Sequence, residues 1–318
     1  MTRRRRPSRF RDRAAIAAVF ALALAAGVTA RPRTAAAQAC CVGTGLVTPA
    51  RLRTFEDRAV GVQMRARSVM GAFAGSGSYA TSAASSRDVG FEEDLFGALR
   101  LGSRFQVALL APFIQTSRAA AGTSGFGGGL GDLTASARFD VTNAGTRGAW
   151  PGLAVLASLA VPTGTPPDEA DDPLATSGTG TGSYEGSLGL AVEEIIGQGF
   201  VSLSGFVTKR TGRAANGVEQ TFAPRLSAVM TGGYTFGHDT TVGAFASALR
   251  QGDVRDAMNG PIANSSIALV TAGAALALPF WDAWRLQTTL FTDLPIPGWG
   301  RNQTVGFGGT LAVIRFWI

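Results

Sequence analysis

Alternation with a period of two residues dominates the chain from about residue 59 onward. In residues 132–141, DLTASARFDV, the side chains Leu133, Ala135, Ala137, Phe139 and Val141 fall on one face, and Thr134, Ser136, Arg138 and Asp140 on the other. Val60, Val62, Met64 and Ala66 likewise oppose Gln63, Arg65 and Arg67, and Trp284, Leu286, Thr288 and Leu290 oppose Arg285, Gln287, Thr289 and Asp293. Successive side chains of a strand point to opposite faces, so this period predicts strands with one apolar and one polar side. Helical spacing is scarce. After the N-terminal region no apolar run reaches the roughly 18 residues of a spanning helix. The nearest, residues 268–281, is broken by Thr, Gly and Pro.

The pattern predicts twelve strands, at about 59–73, 89–101, 105–116, 131–142, 152–163, 184–195, 199–210, 220–235, 240–251, 265–280, 284–294 and 303–318. The connections alternate. Tight ones fall at 102–104, 197–199, 237–239 and 281–283, with a looser one at 143–151. Long Gly/Ser/Thr/Asp-rich loops fall at 74–88, 117–130, 164–183, 211–219, 252–264 and 295–302. Short periplasmic turns alternating with long outer loops mark an up-and-down barrel, and a tilted strand crosses a bilayer in about 9–11 residues. The expected fold is all-β: a 12-stranded antiparallel up-and-down transmembrane β-barrel spanning 59–318. The final stretch, TLAVIRFWI (residues 310–318), reads as its last strand, which must pair with the first so that no edge meets lipid.

Aromatic residues gather at both strand ends, as two membrane interfaces would select. Phe105, Trp150, Phe200, Tyr234, Phe236, Trp281, Trp284 and Trp317 lie beside the short turns or the C-terminus. Phe73, Phe91, Phe113, Tyr184, Phe222, Phe291 and Trp299 lie near the long loops. A soluble sandwich would place its aromatics mid-strand instead. The polar faces carry Gln63, Arg65, Arg67, Glu92, Asp94, Arg138, Asp140, Arg225, Arg285 and Asp293. An Arg facing lipid at mid-depth costs about 2–4 kcal/mol, so all ten are assigned to the interior as pore-lining residues. They would either sort solutes or fill the lumen as a plug of paired charges.

The net charge of +7 suggests a nucleic-acid partner until its distribution is considered. Nine arginines, from Arg3 to Arg33, precede Cys40 against one acid, Asp12. Setting these aside from 29 basic and 22 acidic residues leaves 20 and 21, so no basic face remains and nucleic acid is excluded as a partner. The same region has an Arg-rich start, an apolar run at 14–30 and small residues ending in Ala37-Gln-Ala39, the three parts of a secretory signal. The expected organisation is a cleaved signal peptide at 1–39, a periplasmic N-terminal segment at 40–58 and the barrel at 59–318. Val28-Thr-Ala30 is an alternative cleavage site. Cys40 and Cys41 stand side by side and leave no thiol to staple the body. A mobile pair, a vicinal disulfide and a soft-metal site are the readings open to them.

The stretch GLGDLTASARFDV, residues 129–141, resembles a segment of an outer-membrane transporter family labelled MetA-pathway of phenol degradation. Its Gly-x-Gly-Asp core maps onto Gly129, Gly131 and Asp132. The resemblance implies an outer-membrane channel, and the family label implies small aromatic or hydrophobic solutes. There is no clear N-terminal plug domain; about twenty residues, 40–58, precede the first strand.

Other motifs favour plain structural readings. GFGGGLGD, residues 125–132, lacks the G-x-G-x-x-G spacing and a Lys, and reads as a loop rather than a phosphate cradle. The sole histidine, His238, lies in a short turn without a nearby Ser, which argues against a barrel hydrolase. Asp168, Glu169, Asp171 and Asp172 could hold a divalent cation but more simply solvate a loop. The reading is therefore a non-enzymatic outer-membrane channel of a Gram-negative bacterium, without cofactor or metal. Its partners are membrane lipid, the barrel-assembly machinery and a small-molecule solute. A barrel with a closed lumen, structural or adhesin-like, is the rival. Eight strands leave a filled interior and sixteen or more a wide channel, so twelve predict a narrow one.

Overall fold

The computed structural model describes residues 51–53, 55–144, 151–215, 218–256, 258 and 260–318. The expected signal peptide, Cys40, Cys41 and Trp150 lie outside these residues. Twelve long strands follow one another: β1 (Arg58–Phe73), β2 (Arg87–Leu101), β3 (Phe105–Ala120), β4 (Leu133–Thr142), β5 (Gly152–Val161), β6 (Glu185–Ile196), β7 (Gly199–Arg210), β8 (Arg225–Thr235), β9 (Thr241–Gln251), β10 (Ile267–Trp281), β11 (Trp284–Asp293) and β12 (Thr304–Trp317). Each pairs antiparallel with the next, and β12 returns to β1, from Arg58↔Trp317 to Ala72↔Thr304. The sheet is a closed 12-stranded barrel. Closure gives every strand two partners, which a sheet in hydrocarbon requires.

Alternation decides which side meets lipid. Leu188 and Leu190 of β6 are 67% and 65% exposed, whereas Ala191 and Glu193 beside them are buried. On β11, Leu290 is exposed and Arg285, Gln287, Thr289 and Asp293 are buried. The same contrast recurs on β1, where Val60, Val62 and Met64 face out and Gln63 faces in. An apolar band encircling a barrel whose polar side chains are sheltered is stable only against lipid. The chain is thus an outer-membrane-type β-barrel, and its interior is the lined, polar side.

The aromatic residues divide by parity rather than by height alone. Tyr234, Phe236 and Trp281 near the short turns, and Phe91, Phe113, Tyr184 and Trp299 near the long loops, are exposed as interface residues should be. Phe73, Phe200 and Phe291, expected in the same belts, are instead buried inside. For Phe200 and Phe291 the reason is a cross-strand pairing with glycine, shared by other inward rings. Phe96 faces Gly61, Phe206 faces Gly189, Phe200 faces Gly233, Phe245 faces Gly273 and Phe291 faces Gly308. A Cβ at Gly61 would lie 2.5 Å from the Phe96 ring, and one at Gly189 2.5 Å from that of Phe206. Each ring therefore lies flat on the wall over its glycine, covering bare backbone without filling the lumen. Ile314 and Phe316, two of the alternating apolar residues near the C-terminus, also turn inward; Ile314 is buried and the Arg285 guanidinium lies over the Phe316 ring.

One expected loop is not a loop. Residues 117–130 continue the hairpin beyond the membrane: Thr123–Leu130 pairs with the end of β3, from Phe113↔Leu130 to Ala120↔Thr123. The two connecting residues, Ala121 (φ 50°) and Gly122 (φ 81°), both take the left-handed conformation of a tight type I′ hairpin turn. The glycines here recur at alternate positions, which is a strand's period, so the glycine-rich composition belongs to a regular strand. Between this ladder and that of β3 with β4 the register slips, from Phe113↔Leu130 to Leu110↔Thr134, leaving a bulge at Gly131-Asp132. A second outer sheet joins Arg213–Ala215, Val218–Thr221, Arg255–Asp256 and Gly260–Pro261.

The connections between strands alternate short and long as expected. A cysteine placed at Ala84, in the exposed loop between β1 and β2, is expected to react with an impermeant thiol reagent on intact cells. One at Gln198, in the short turn between β6 and β7, should stay unlabelled. The reverse result would invert the barrel in the membrane.

Candidate functional site: the barrel lumen

All ten residues expected in the lumen lie on the sheltered parity, and each is partnered. Gln63 Nε2 donates to Asp94 at 3.0 Å. On the next inward positions of the same two strands, Arg65 pairs with Glu92 at 3.2 Å. Arg67 reaches across β12 to Asp293 at 2.8 Å, and Asp293 also accepts from Thr271 Oγ1 at 2.6 Å and the Gly306 amide at 3.0 Å. Arg138 binds Asp140 at 2.7 Å and Glu193 at 3.1 Å. Arg225 shares Glu185 with Arg210, and Arg285 holds Glu56 at 2.7 Å. The predicted residues thus form pairs of opposite sign along the walls rather than a ring of one sign.

Three of the seven acidic partners, Glu56, Glu185 and Glu193, were not among the residues predicted from sequence. Glu185 and Glu193 share the inward, odd-numbered parity of β6, a signal available in GSLGLAVEEII had that strand been phased. Gln106, which donates to Asp140 at 3.4 Å, shares the inward parity of β3. Nothing local marks Arg51, Leu52 and Glu56. They precede the first strand, yet residues 51–53 and 55–57 enter the short-turn end of the barrel. There Leu52, Arg53 and Glu56 are buried, and Arg51 pairs with Glu193 on the far wall.

Toward the outer end, the long connection between β5 and β6 folds back across the inner face of the β3–β4 hairpin. The alternate glycines make room for it: a Cβ at Gly127 would meet Ser177 N and Thr176 C at 2.8 Å, and one at Gly131 would lie 3.2 Å from Thr179 O. Thr176 and Thr179 are buried there. Asp132, aimed inward by the bulge, accepts from the Gly164 amide at 3.1 Å, the Thr181 amide at 2.8 Å and Thr181 Oγ1 at 2.9 Å. Arg118 adds donations to the carbonyls of Leu174 (2.8 Å) and Ala175 (3.1 Å) while pairing with Asp88. The Gly-x-Gly-Asp segment is therefore the dock for this loop. Asp132→Ala should cost the docked loop about 1–3 kcal/mol, because three donors lose a charged acceptor. Limited proteolysis of the folded protein checks this: new cleavage within 164–183 is expected, and an unchanged digest would refute the role.

Two of the four acids in that loop, Asp168 and Asp172, are engaged internally. The amide of Thr176, with those of Ser177 and Leu174, holds the Asp172 carboxylate down to a pKa of about 2. Arg213 pairs with Asp168 and lowers its pKa. Among the described residues no group of three or more His, Cys, Asp and Glu is placed to hold a metal ion. His238 falls in the short 3₁₀ turn Gly237–Asp239.

At mid-barrel the wall encloses a cavity of about 60 Å³, lined by Arg51, Arg138 and Gln106 on one side and by Leu156, Phe206 and Val229 on another. Ser136, Ser158 and Ser204 add hydroxyls to the lining. The arrangement offers a path of mixed character: paired charges at the walls, hydroxyls for a polar substituent, and an apolar face against Phe206.

No protein-family model matches the chain, and no curated protein is similar to it. Among solved structures, the translocator domain of the autotransporter NalP from Neisseria meningitidis aligns with a TM-score of 0.47 at 13% identity, over 96% of each chain. An outer membrane channel from Pseudomonas putida F1 aligns with a TM-score of 0.69 at 18% identity, over 84% of this chain and 97% of that one, so the two share their fold.

Proposed function

We propose that the protein is an outer-membrane channel for the passive passage of small solutes. The observation that carries this reading is the mid-barrel cavity of about 60 Å³ inside a wall of neutralised ion pairs. A lumen built only for rigidity would pack that space with side chains, as narrower barrels do. The inward phenylalanines lie on their glycines instead of projecting, which keeps the centre clear. The likeness in fold to the Pseudomonas putida F1 channel supports the same reading.

Small aromatic or hydrophobic compounds are the solute class we favour. Leu156, Phe206 and Val229 present an apolar patch beside hydroxyls and charges, which suits a ring bearing one polar group. The family resemblance over residues 129–141 points the same way. The reading also implies lipid around the apolar band and the barrel-assembly machinery as the agent of insertion. Reconstitution in planar bilayers tests the channel itself: discrete conductance steps are expected. Protein that migrates as folded and inserts, yet carries no current under any condition, would favour the closed-lumen rival.

A further inference from the structure

We propose that residues 51–53 and 55–57 form a displaceable gate at the short-turn end of the barrel, latched by Arg51–Glu193 and Glu56–Arg285, and that releasing these latches opens the channel. The proposal rests on the channel reading above. It begins where the wall begins: Asp57 is still tied to the sheet, its amide donating to Trp317 O and its carbonyl accepting from Arg100 N, each at 2.7 Å. The polypeptide before it turns into the lumen. Arg100 donates to the carbonyls of Glu56 (2.9 Å) and Arg53 (2.6 Å), and Leu52 lodges against Ala59, Phe96, Ala98, Ala312 and Ile314. From there the segment crosses to the opposite wall. The Leu52 amide donates to Gln106 Oε1 on β3 at 3.3 Å, and Arg51 reaches Glu193 on β6. A strap that touches β1, β2, β11 and β12 at one end and β3 and β6 at the other spans the path a solute must take.

Its chemistry is that of a reversible closure. Leu52 is the apolar anchor, whereas Phe55 stays outside at 62% exposure. The remaining attachments are charged or polar. A carboxylate–guanidinium pair is costly to break in a dry core, because it strands a charge, but in a lumen that fills with water both partners rehydrate. The wall is also provisioned for the open state. Glu193 keeps Arg138 at 3.1 Å when Arg51 leaves, and the Arg285 guanidinium lies over the ring of Phe316, 5.6 Å from its centre, when Glu56 leaves. Both latch residues of the wall thus have a second partner in place, which narrows the gap between the two states.

The test is single-channel recording of the full-length protein and of two isosteric variants, Glu193→Gln and Glu56→Gln, one for each latch. Boiling-dependent migration shows that each is folded. The fraction of time spent open is expected to rise severalfold in either variant. Leu188→Val, on the outer, lipid-facing side of β6, touches no part of the segment and should leave the open fraction as it is. If the wild type conducts and both folded latch variants keep its dwell times, the gate is refuted and the channel stands. If neither the wild type nor any folded variant conducts, channel and gate fall together. Amide exchange gives a second readout should one variant fold poorly: loss of protection confined to residues 51–53 and 55–57 is expected, and protection equal to the wild type would overturn the proposal.

Discussion

Arg65→Glu combined with Arg67→Glu is expected to shift the channel toward cations, raising the cation-to-anion permeability ratio on the order of tenfold, since two charges about 4 Å apart interact by about 1 kcal/mol even in water. In the folded protein Arg65 neutralises Glu92 and Arg67 neutralises Asp293. Reversal removes two positive charges and adds two negative ones beside carboxylates that have lost their partners, with Asp94 one inward position below. A wall that was locally neutral becomes a negative constriction, and such constrictions set which ions enter. Arg67 also donates to Thr304 Oγ1 at 3.1 Å and to its carbonyl at 2.8 Å, so some loosening of the β1–β12 seam should accompany the change. Reversal potential under a salt gradient is the measurement. A conducting, folded double variant with wild-type selectivity would place both arginines off the ion path.

A second large effect follows from turning to the other face of the same strand. Val62→Arg should destabilise the barrel by about 2–4 kcal/mol and depress folded yield, because it sets a guanidinium in hydrocarbon. Val62 is exposed on the outer face, opposite Val313 on β12 and Leu95 on β2, while Gln63, its neighbour, sits inward on Asp94. Nothing in the chemistry of the two positions differs except parity. Denaturant titration in detergent or lipid, together with the boiling shift, measures the loss. A variant as stable as the wild type would mean that this face of β1 is not in lipid.

The sequence by itself determined the strand number, the alternation of turn lengths, the outward apolar face and the strand parity of the ten polar residues. These are local properties. A strand's parity is written in every second residue, and a turn's length is read directly from the spacing between strands. Who partners whom was not local. Arg285 and Glu56 are far apart in the chain, as are Arg67 and Asp293, and only closure of the ring brings them together. The alternate glycines of residues 125–131 carried a periodic signal, but their purpose, clearance for the folded-back loop held by Asp132, needed that loop in place to be seen. Phe200 and Phe291 were placed at the right height and on the wrong side, since height follows from position in the strand and side from its phase. The strap of residues 51–53 and 55–57 lay furthest from reach. It has no period of its own, and its conformation is set by Glu193, Gln106, Arg100 and Arg285 on walls that exist only once the barrel has closed.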